Sequence, residues 1–296
     1  MLKKILVLAD GGDPSQPALG RALQCIDDSG EVEIFDAVYE PMLEGYMGNK
    51  EIYEPLRKRV LGERRERAEG LARTVESSGV RGTATAVWDH PLDRAVAKEV
   101  GAKHVDLVVV APTQGGGLSH REWQLVVGCL VPVLVVKSDG RLKYRSIVAA
   151  VDPFHAHAKP AALDVDILRN AQVMQAATGA ALTVLHCYTP LTYFGADLAR
   201  PAAQDPRFED GRQEALHELC AAAGIPESAA RLVAGPPHEV LHGMQKRGEA
   251  DLVVMGGLAR GRLAELLVGN TAERLLHAGR ADVLVIKPTG AARAPL

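Results

Sequence analysis

Short unbroken aliphatic runs alternate along the chain with longer stretches in which apolar residues recur three or four positions apart. The first pattern reads as strands buried on both faces, the second as helices that cover them. Strands are expected near 5–9, 32–38, 83–88, 107–111 and 133–136, and again near 147–151, 182–187, 231–233, 252–255 and 283–286. Leu56, Val60, Leu61, Ala68, Leu71 and Val75 supply the apolar stripe of one long helix. The charges interleaved with it, Arg57-Lys58-Arg59 and Arg64-Arg65-Glu66-Arg67 beside Glu63 and Glu69, read as its solvated face.

The two sets of strands are copies of one unit. Ile5-Leu6-Val7-Leu8-Ala9-Asp10 matches Ile147-Val148-Ala149-Ala150-Val151-Asp152, each an apolar run closed by an aspartate. Asp106-Leu107-Val108-Val109-Val110 matches Asp251-Leu252-Val253-Val254-Met255, and Val133-Leu134-Val135-Val136-Lys137 matches Val283-Leu284-Val285-Ile286-Lys287. Three matches in one order define an internal repeat. The polar stretch Ser138-Asp139-Gly140-Arg141 separates the copies. The expected fold is therefore α/β: two tandem five-stranded parallel-sheet domains of the nucleotide-binding-like, Rossmann type, over 1–138 and 144–290. Such folds take ligands at the carboxyl ends of their strands, near the point where strand order reverses.

Composition narrows the class. With 47% hydrophobic and 24% charged residues the chain has the balance of a soluble globular protein, and with 4% aromatics its core must be aliphatic. A net charge of −3 leaves no sequence-wide basic field, so neither nucleic acid nor a membrane surface is expected as a partner. Cys25, Cys129, Cys187 and Cys220 form no C-x-x-C pair, which fits a reducing compartment and offers no zinc ribbon. The apolar stretch after Met1-Leu2-Lys3-Lys4 is too short for a signal peptide, and no run approaches a membrane span, so a cytoplasmic location is expected.

The copies differ in one loop. Asp106 to Lys137 is 31 positions and Asp251 to Lys287 is 36, roughly one helical turn more. The extra residues fall between Met255-Gly256-Gly257 and Gly269-Asn270-Thr271-Ala272-Glu273, with Arg260 and Arg262 between. Glycines that let amides approach an anion, followed by the start of a helix, suit phosphate. Asn270 with Glu273 also matches a capping box, in which case Gly269 only makes the turn. Asp152, which this topology places by the same crevice with the capacity to accept ribose hydroxyls, favours the phosphate reading.

Strand-ending Asp152, the strand Leu185-His186-Cys187, and Gly256-x-x-Ala259 followed by nine residues and Gly269-Asn270-Thr271 together resemble the universal stress protein family. The likeness covers nearly the whole chain as two copies, with the tandem, E-type branch nearest through Val87-Trp88, Gly269-Asn270-Thr271-Ala272-Glu273 and Leu284-Val285-Ile286-Lys287-Pro288. In that family, whose fold is like that of the adenine nucleotide alpha hydrolases, the loop is Gly-x-x-Gly, nine residues, then Gly-Ser or Gly-Asn, and it cradles the phosphates of ATP. The resemblance implies ATP or AMP as ligand, with or without magnesium. Asp152 would meet the ribose and any magnesium, Cys187 would offer backbone to the adenine edge, and Gly256, Gly269, Asn270 and Thr271 would surround the phosphates. The second loop glycine is Ala259 here, a methyl group where backbone would approach phosphate. The first copy has Ala111-Pro112-Thr113-Gln114-Gly115-Gly116-Gly117, then Leu118-Ser119-His120-Arg121-Glu122-Trp123 and Gly128-Cys129, without the spacing. Asp10 remains there, but the phosphate loop does not, and that copy reads as unoccupied or differently occupied.

Other motifs compete. His238-Glu239-Val240-Leu241-His242 is a literal H-E-x-x-H, the helical zinc-hydrolase motif, with Glu265 or Glu273 as conceivable third ligand. Pro236-Pro237 before it place His238 in the first turn of an ordinary helix, with Val240 and Leu241 as core contacts like Ala95 and Val96. His155-Ala156-His157 lacks further ligands, and Asp10-Gly11-Gly12-Asp13-Pro14-Ser15 reads as a strand-to-helix turn capped by Ser15 or Asp13. Two function classes follow. One is a non-catalytic, nucleotide-binding stress-response module with an unidentified protein partner. The other is an enzyme, a slow ATPase at the same loop or a zinc hydrolase at His238, Glu239 and His242. The closing strands 133–136 and 283–286 leave edges that need cover, so an intramolecular pseudo-dimer through those strands is expected, with further pairing of chains optional.

Overall fold

The computed structural model of the chain describes residues 2–9, 15–112, 117–137, 143–154, 162–189, 207–257 and 270–288. The chain divides into two compact units, Met1–Leu142 and Lys143–Leu296. In the first, strands β1 (Leu2–Leu8), β2 (Ile26–Val38), β3 (Arg81–Trp88), β4 (Leu107–Val110) and β5 (Val133–Val135) lie in the order β3-β2-β1-β4-β5. Every neighbouring pair is parallel. The second unit repeats the plan with β6 (Ser146–Ala150), β7 (Ala181–Tyr188), β8 (Ala230–Ala234), β9 (Leu252–Gly256) and β10 (Asp282–Ile286), in the order β10-β9-β6-β7-β8. Its pairs are parallel as well. All ten strands fall on the expected aliphatic runs. The central strands are buried on both sides, with Ile5, Leu6, Val108, Val109, Ile147, Val148, Val253 and Val254 wholly excluded from solvent. That explains why they read as continuous apolar runs and not as alternation.

Helices α1 (Pro17–Cys25), α2 (Pro41–Glu44), α3 (Lys50–Ser77), α4 (Leu92–Lys103) and α5 (His120–Gly128) belong to the first unit. The second unit has α6 (Ala162–Thr178), α7 (Arg207–Ala222), α8 (Pro237–Lys246) and α9 (Asn270–Ala278). Two local expectations are corrected. Ser15 or Asp13 was to cap α1, but Gln16 stands before Pro17, in left-handed conformation at φ 45°. The Gln16 side chain makes no capping hydrogen bond, and Pro17 suits the first helical position because its fixed φ is helical and its missing amide would have had no partner within the helix. The charged side of α3 is also not wholly solvated: Arg64 Nη1 lies 3.5 Å from Oδ2 of Asp36, whose side chain is 11% exposed. Burial pushes the Asp36 carboxyl up, and Arg64, Arg67 and Arg121 pull it back down. Among the described residues no helix is long and apolar enough to cross a membrane.

Candidate functional site

In the second unit strand order reverses between β6 and β9, so the crevice opens at the carboxyl ends of these two strands. Ala150 of β6 faces Leu185 of β7 on one side and Met255 of β9 on the other. One step on, the Val151 amide donates to the Leu185 carbonyl at 3.0 Å, and the Gly257 amide to Ile286 at 2.8 Å. Asp152, Cys187 and Gly256 therefore leave three adjacent strands on one edge. Asn270 and Thr271 form the first turn of α9. Ala259 and Gly269 lie outside the described residues, as do Arg260, Arg262 and Glu265.

Each of the three edge residues is held by its own local chemistry. The Asp152 amide donates to Oδ1 of Asp164 at 3.1 Å, and Asp164, on α6, is 1% exposed, so a buried carboxylate fixes where the chain leaves the sheet. At Cys187 the thiol is pushed up to about 12 by burial, so it stays protonated at neutral pH and is a poor nucleophile. Its backbone is another matter. The Tyr188 carbonyl accepts from Gly235 on the β8 side, so the alternation of a strand turns the Cys187 carbonyl toward β6, over the exit of Asp152. At Gly256 the constraint is packing: a Cβ would stand 2.6 Å from Leu163 Cδ2. A Cβ on the next residue, Gly257, would stand 3.1 Å from Nζ of Lys287, which places a cation at the entrance of the loop.

Sequence reasoning missed a polar relay beside these residues. His186 is 2% exposed; its Nδ1 lies 3.2 Å from the Val151 carbonyl and its Nε2 lies 3.2 Å from Nη1 of Arg212 on α7. A carbonyl only accepts and a guanidinium only donates, so Nδ1 carries the hydrogen and the imidazole is neutral. Burial lowers the His186 pKa in the same direction, with the Arg212 charge adding to it against the pull of the Val151 carbonyl, Asp152 and Asp164. The Arg212 guanidinium carbon stands 4.6 Å from the Phe154 ring centre and 5.8 Å from that of Tyr188. The Tyr188 hydroxyl donates to Glu209, and its pKa is pushed up to about 12, by burial first and by that bond second. A histidine inside an otherwise apolar strand was the available signal.

The H-E-x-x-H residues do lie on a helix, α8, with His238 in its first turn. Leu241 is buried as expected, whereas Val240 is only half-buried. His238 Nε2 accepts from Nη1 of Arg274 at 2.6 Å, and with Glu239, His242, Glu273 and His277 these residues line a cavity of about 610 Å³. Among the described residues no three His, Cys, Asp or Glu side chains are placed to hold a metal. His155 and His157 lie outside the described residues.

The first unit answers the same positions differently. Asp10 and 113–116 lie outside the described residues. At the start of α5, Ser119 Oγ accepts from the Glu122 amide at 3.3 Å, and the Glu122 carboxylate accepts from the Ser119 amide at 2.6 Å. Arg121 extends from the same turn to the Ala37 carbonyl at 3.3 Å.

The fold and the position of the crevice define an α/β protein of the Rossmann-like class. The profile of the universal stress protein family matches residues 1–137 and 143–287, and the chain belongs to that family. Its relatives include universal stress protein E of Salmonella typhi, 26% identical over 307 residues that cover 97% of this chain and 95% of the relative. The universal stress protein E homolog of Haemophilus influenzae is 24% identical over 97% of this chain and 98% of its own length. A universal stress protein of Archaeoglobus fulgidus, with a TM-score of 0.66 and 16% identity over 96% of this chain and 98% of that one, shares the fold.

Proposed function

We propose that the chain is a tandem universal stress protein in which the second unit holds one adenine nucleotide, ATP or AMP, and that it acts as a non-catalytic, ligand-responsive module. The observation that carries this reading is the convergence of Asp152, Cys187 and Gly256 on the carboxyl edge of three adjacent parallel strands, at the reversal between β6 and β9. Asp152 supplies a carboxylate for ribose hydroxyls, Cys187 a carbonyl for the exocyclic amine of adenine, and the 258–269 segment with the first turn of α9 the amides for phosphate. Magnesium, where it accompanies ATP, would be met by Asp152 and the phosphates.

Chemistry at the site favours binding over turnover. The Cys187 thiol is protonated and His186 is committed on both ring nitrogens, so neither is a base for water. The test is to identify the small molecule that co-purifies with the native protein and then to follow phosphate release. Bound adenine nucleotide with no release above background supports the module. Steady release that stops in Asp152→Asn makes it an ATPase, and a purified protein that neither carries nor takes up an adenine nucleotide overturns the proposal.

A further inference from the structure

Phe154 follows Asp152 by two positions and is 45% exposed, although it is one of only four phenylalanines in the chain. It is not left to solvent by default. The Arg212 guanidinium covers one side of its ring at 4.6 Å, and the His186 ring lies 5.9 Å away, centre to centre, tilted by 34°. His186 is itself tied to the Val151 carbonyl and to Arg212. An apolar ring thus lies against two buried or half-buried groups while 45% of it stays exposed, beside the strand end that carries Asp152. The position matching Phe154 in the first copy, counted from Asp10, is Gly12, so this feature belongs to the second unit alone.

We propose that Phe154 is the stacking surface for the ligand's purine base, and that His186 and Arg212 are the positioning residues that hold its ring. This rests on the nucleotide reading of the second unit and extends it to recognition of the base. A planar heteroaromatic base has a π face to lay on a phenyl ring, and a sugar phosphate has none. The ring therefore selects nucleotides over phosphorylated sugars, while Asp152 serves the ribose.

ATP and AMP share the base and differ in phosphates, which sets the experiment. Both are titrated calorimetrically into the full chain and into Phe154→Ala, Phe154→Leu and Phe154→Tyr. The expected result is that Ala and Leu weaken ATP and AMP by the same factor, roughly tenfold or more, and that Tyr stays within about threefold of wild type. The adenine H2 and H8 resonances should move upfield on binding to wild type and not on binding to Phe154→Leu, a ring-current signature that a purely structural role would not alter. Unchanged affinity in Phe154→Leu, or a loss confined to ATP, overturns the stacking surface and leaves the nucleotide reading standing. A wild-type chain that binds neither nucleotide overturns both.

Discussion

Leu163 of α6 packs so closely on Gly256 of β9 that a methyl group on the glycine would stand 2.6 Å from its Cδ2 and 3.1 Å from its Cγ. The glycine that the sequence marks as the first of a phosphate loop is thus required by helix-on-sheet packing, whatever ligand is bound. Gly256→Ala should lower stability by about 1–3 kcal/mol through overpacking. In a double-mutant cycle with Leu163→Ala, the combined loss should fall short of the sum, because the cavity left by leucine takes the new methyl. Urea unfolding of the four proteins measures it; strict additivity would mean that the contact is not the cause.

His186 gives the second unit a stability that depends on pH. The folded state lowers its pKa from 6.5, burial being the largest cause, so the native imidazole is neutral where the unfolded one begins to charge. The unfolded chain then binds more protons, and stability falls as pH drops through about 6.5 toward the native value. Above that window the full contribution is present. His186→Asn retains a donor near the Val151 carbonyl and removes the titration. Its urea midpoint should change less than that of wild type between pH 7.5 and 5, and parallel curves would refute the assignment.

The strands were legible because parallel strands covered on both faces read as near-continuous aliphatic runs with few polar positions to confuse the pattern. The start of β2 was not. Its pairing with β1 runs from Ile26 opposite Leu2 to Glu31 opposite Lys4, and the residues between include Asp27, whose carboxylate accepts from both the amide and the hydroxyl of Ser29. Asp27-Asp28-Ser29-Gly30 is polar and carries turn-favouring residues, yet it lies within β2, where the register with β1 shifts as at a bulge. Asp152 and Gly256 stood out because each follows an aliphatic run that the repeat aligns, whereas Cys187 was named through the family resemblance. Arg212 was out of reach, since its partner His186 is 26 positions earlier and only the folding of α7 over β7 joins them. Yet Arg67 and Arg212 each lie twelve positions before a glycine of positive φ, Gly79 and Gly224, and Asp36 and His186 each lie two before the end of a strand. In each unit an arginine of a helix thus acts by its charge on a buried polar strand residue, Arg67 on Asp36 and Arg212 on His186, a correspondence that becomes readable once the repeat is aligned through these glycines.

In the first unit the wholly buried Glu33 accepts from Lys103 at 2.5 Å and from Thr85 at 2.7 Å. Burial raises its pKa above 4.5, against the pull of Lys103 and Thr85 and with the help of Glu99. The native state therefore keeps this proton to higher pH than the unfolded chain, and its contribution to stability fades as pH rises from about 4.5 through the native value. Glu33→Gln keeps both hydrogen bonds without the buried charge and should be as stable as wild type, or more stable, at pH 8. Lys103→Met leaves the carboxylate without its cation and should cost about 3 kcal/mol, the low end for a buried pair because Lys103 is 35% exposed. Thermal unfolding at pH 8 decides, and a Glu33→Gln chain as damaged as Lys103→Met would show that the charge itself stabilises the fold.

The helix starts of the two units predict the stoichiometry of binding. At α5 the first unit spends two amides on its own Ser119 and Glu122, so an arriving phosphate would have to displace a carboxylate that is already in place. The second unit has the longer loop, with Gly269 before Asn270 and Thr271. Calorimetry should therefore find at most one ATP per chain, weakened at least tenfold by Gly269→Val. Ala259→Gly, which removes a Cβ where backbone nears phosphate, should leave affinity equal or improved. Ser119→Ala removes a cap and should cost about 1 kcal/mol of stability with no change in ATP stoichiometry. Two equivalent sites in the wild type, or a Gly269→Val chain that binds as the wild type does, would place the nucleotide elsewhere than the loop before α9.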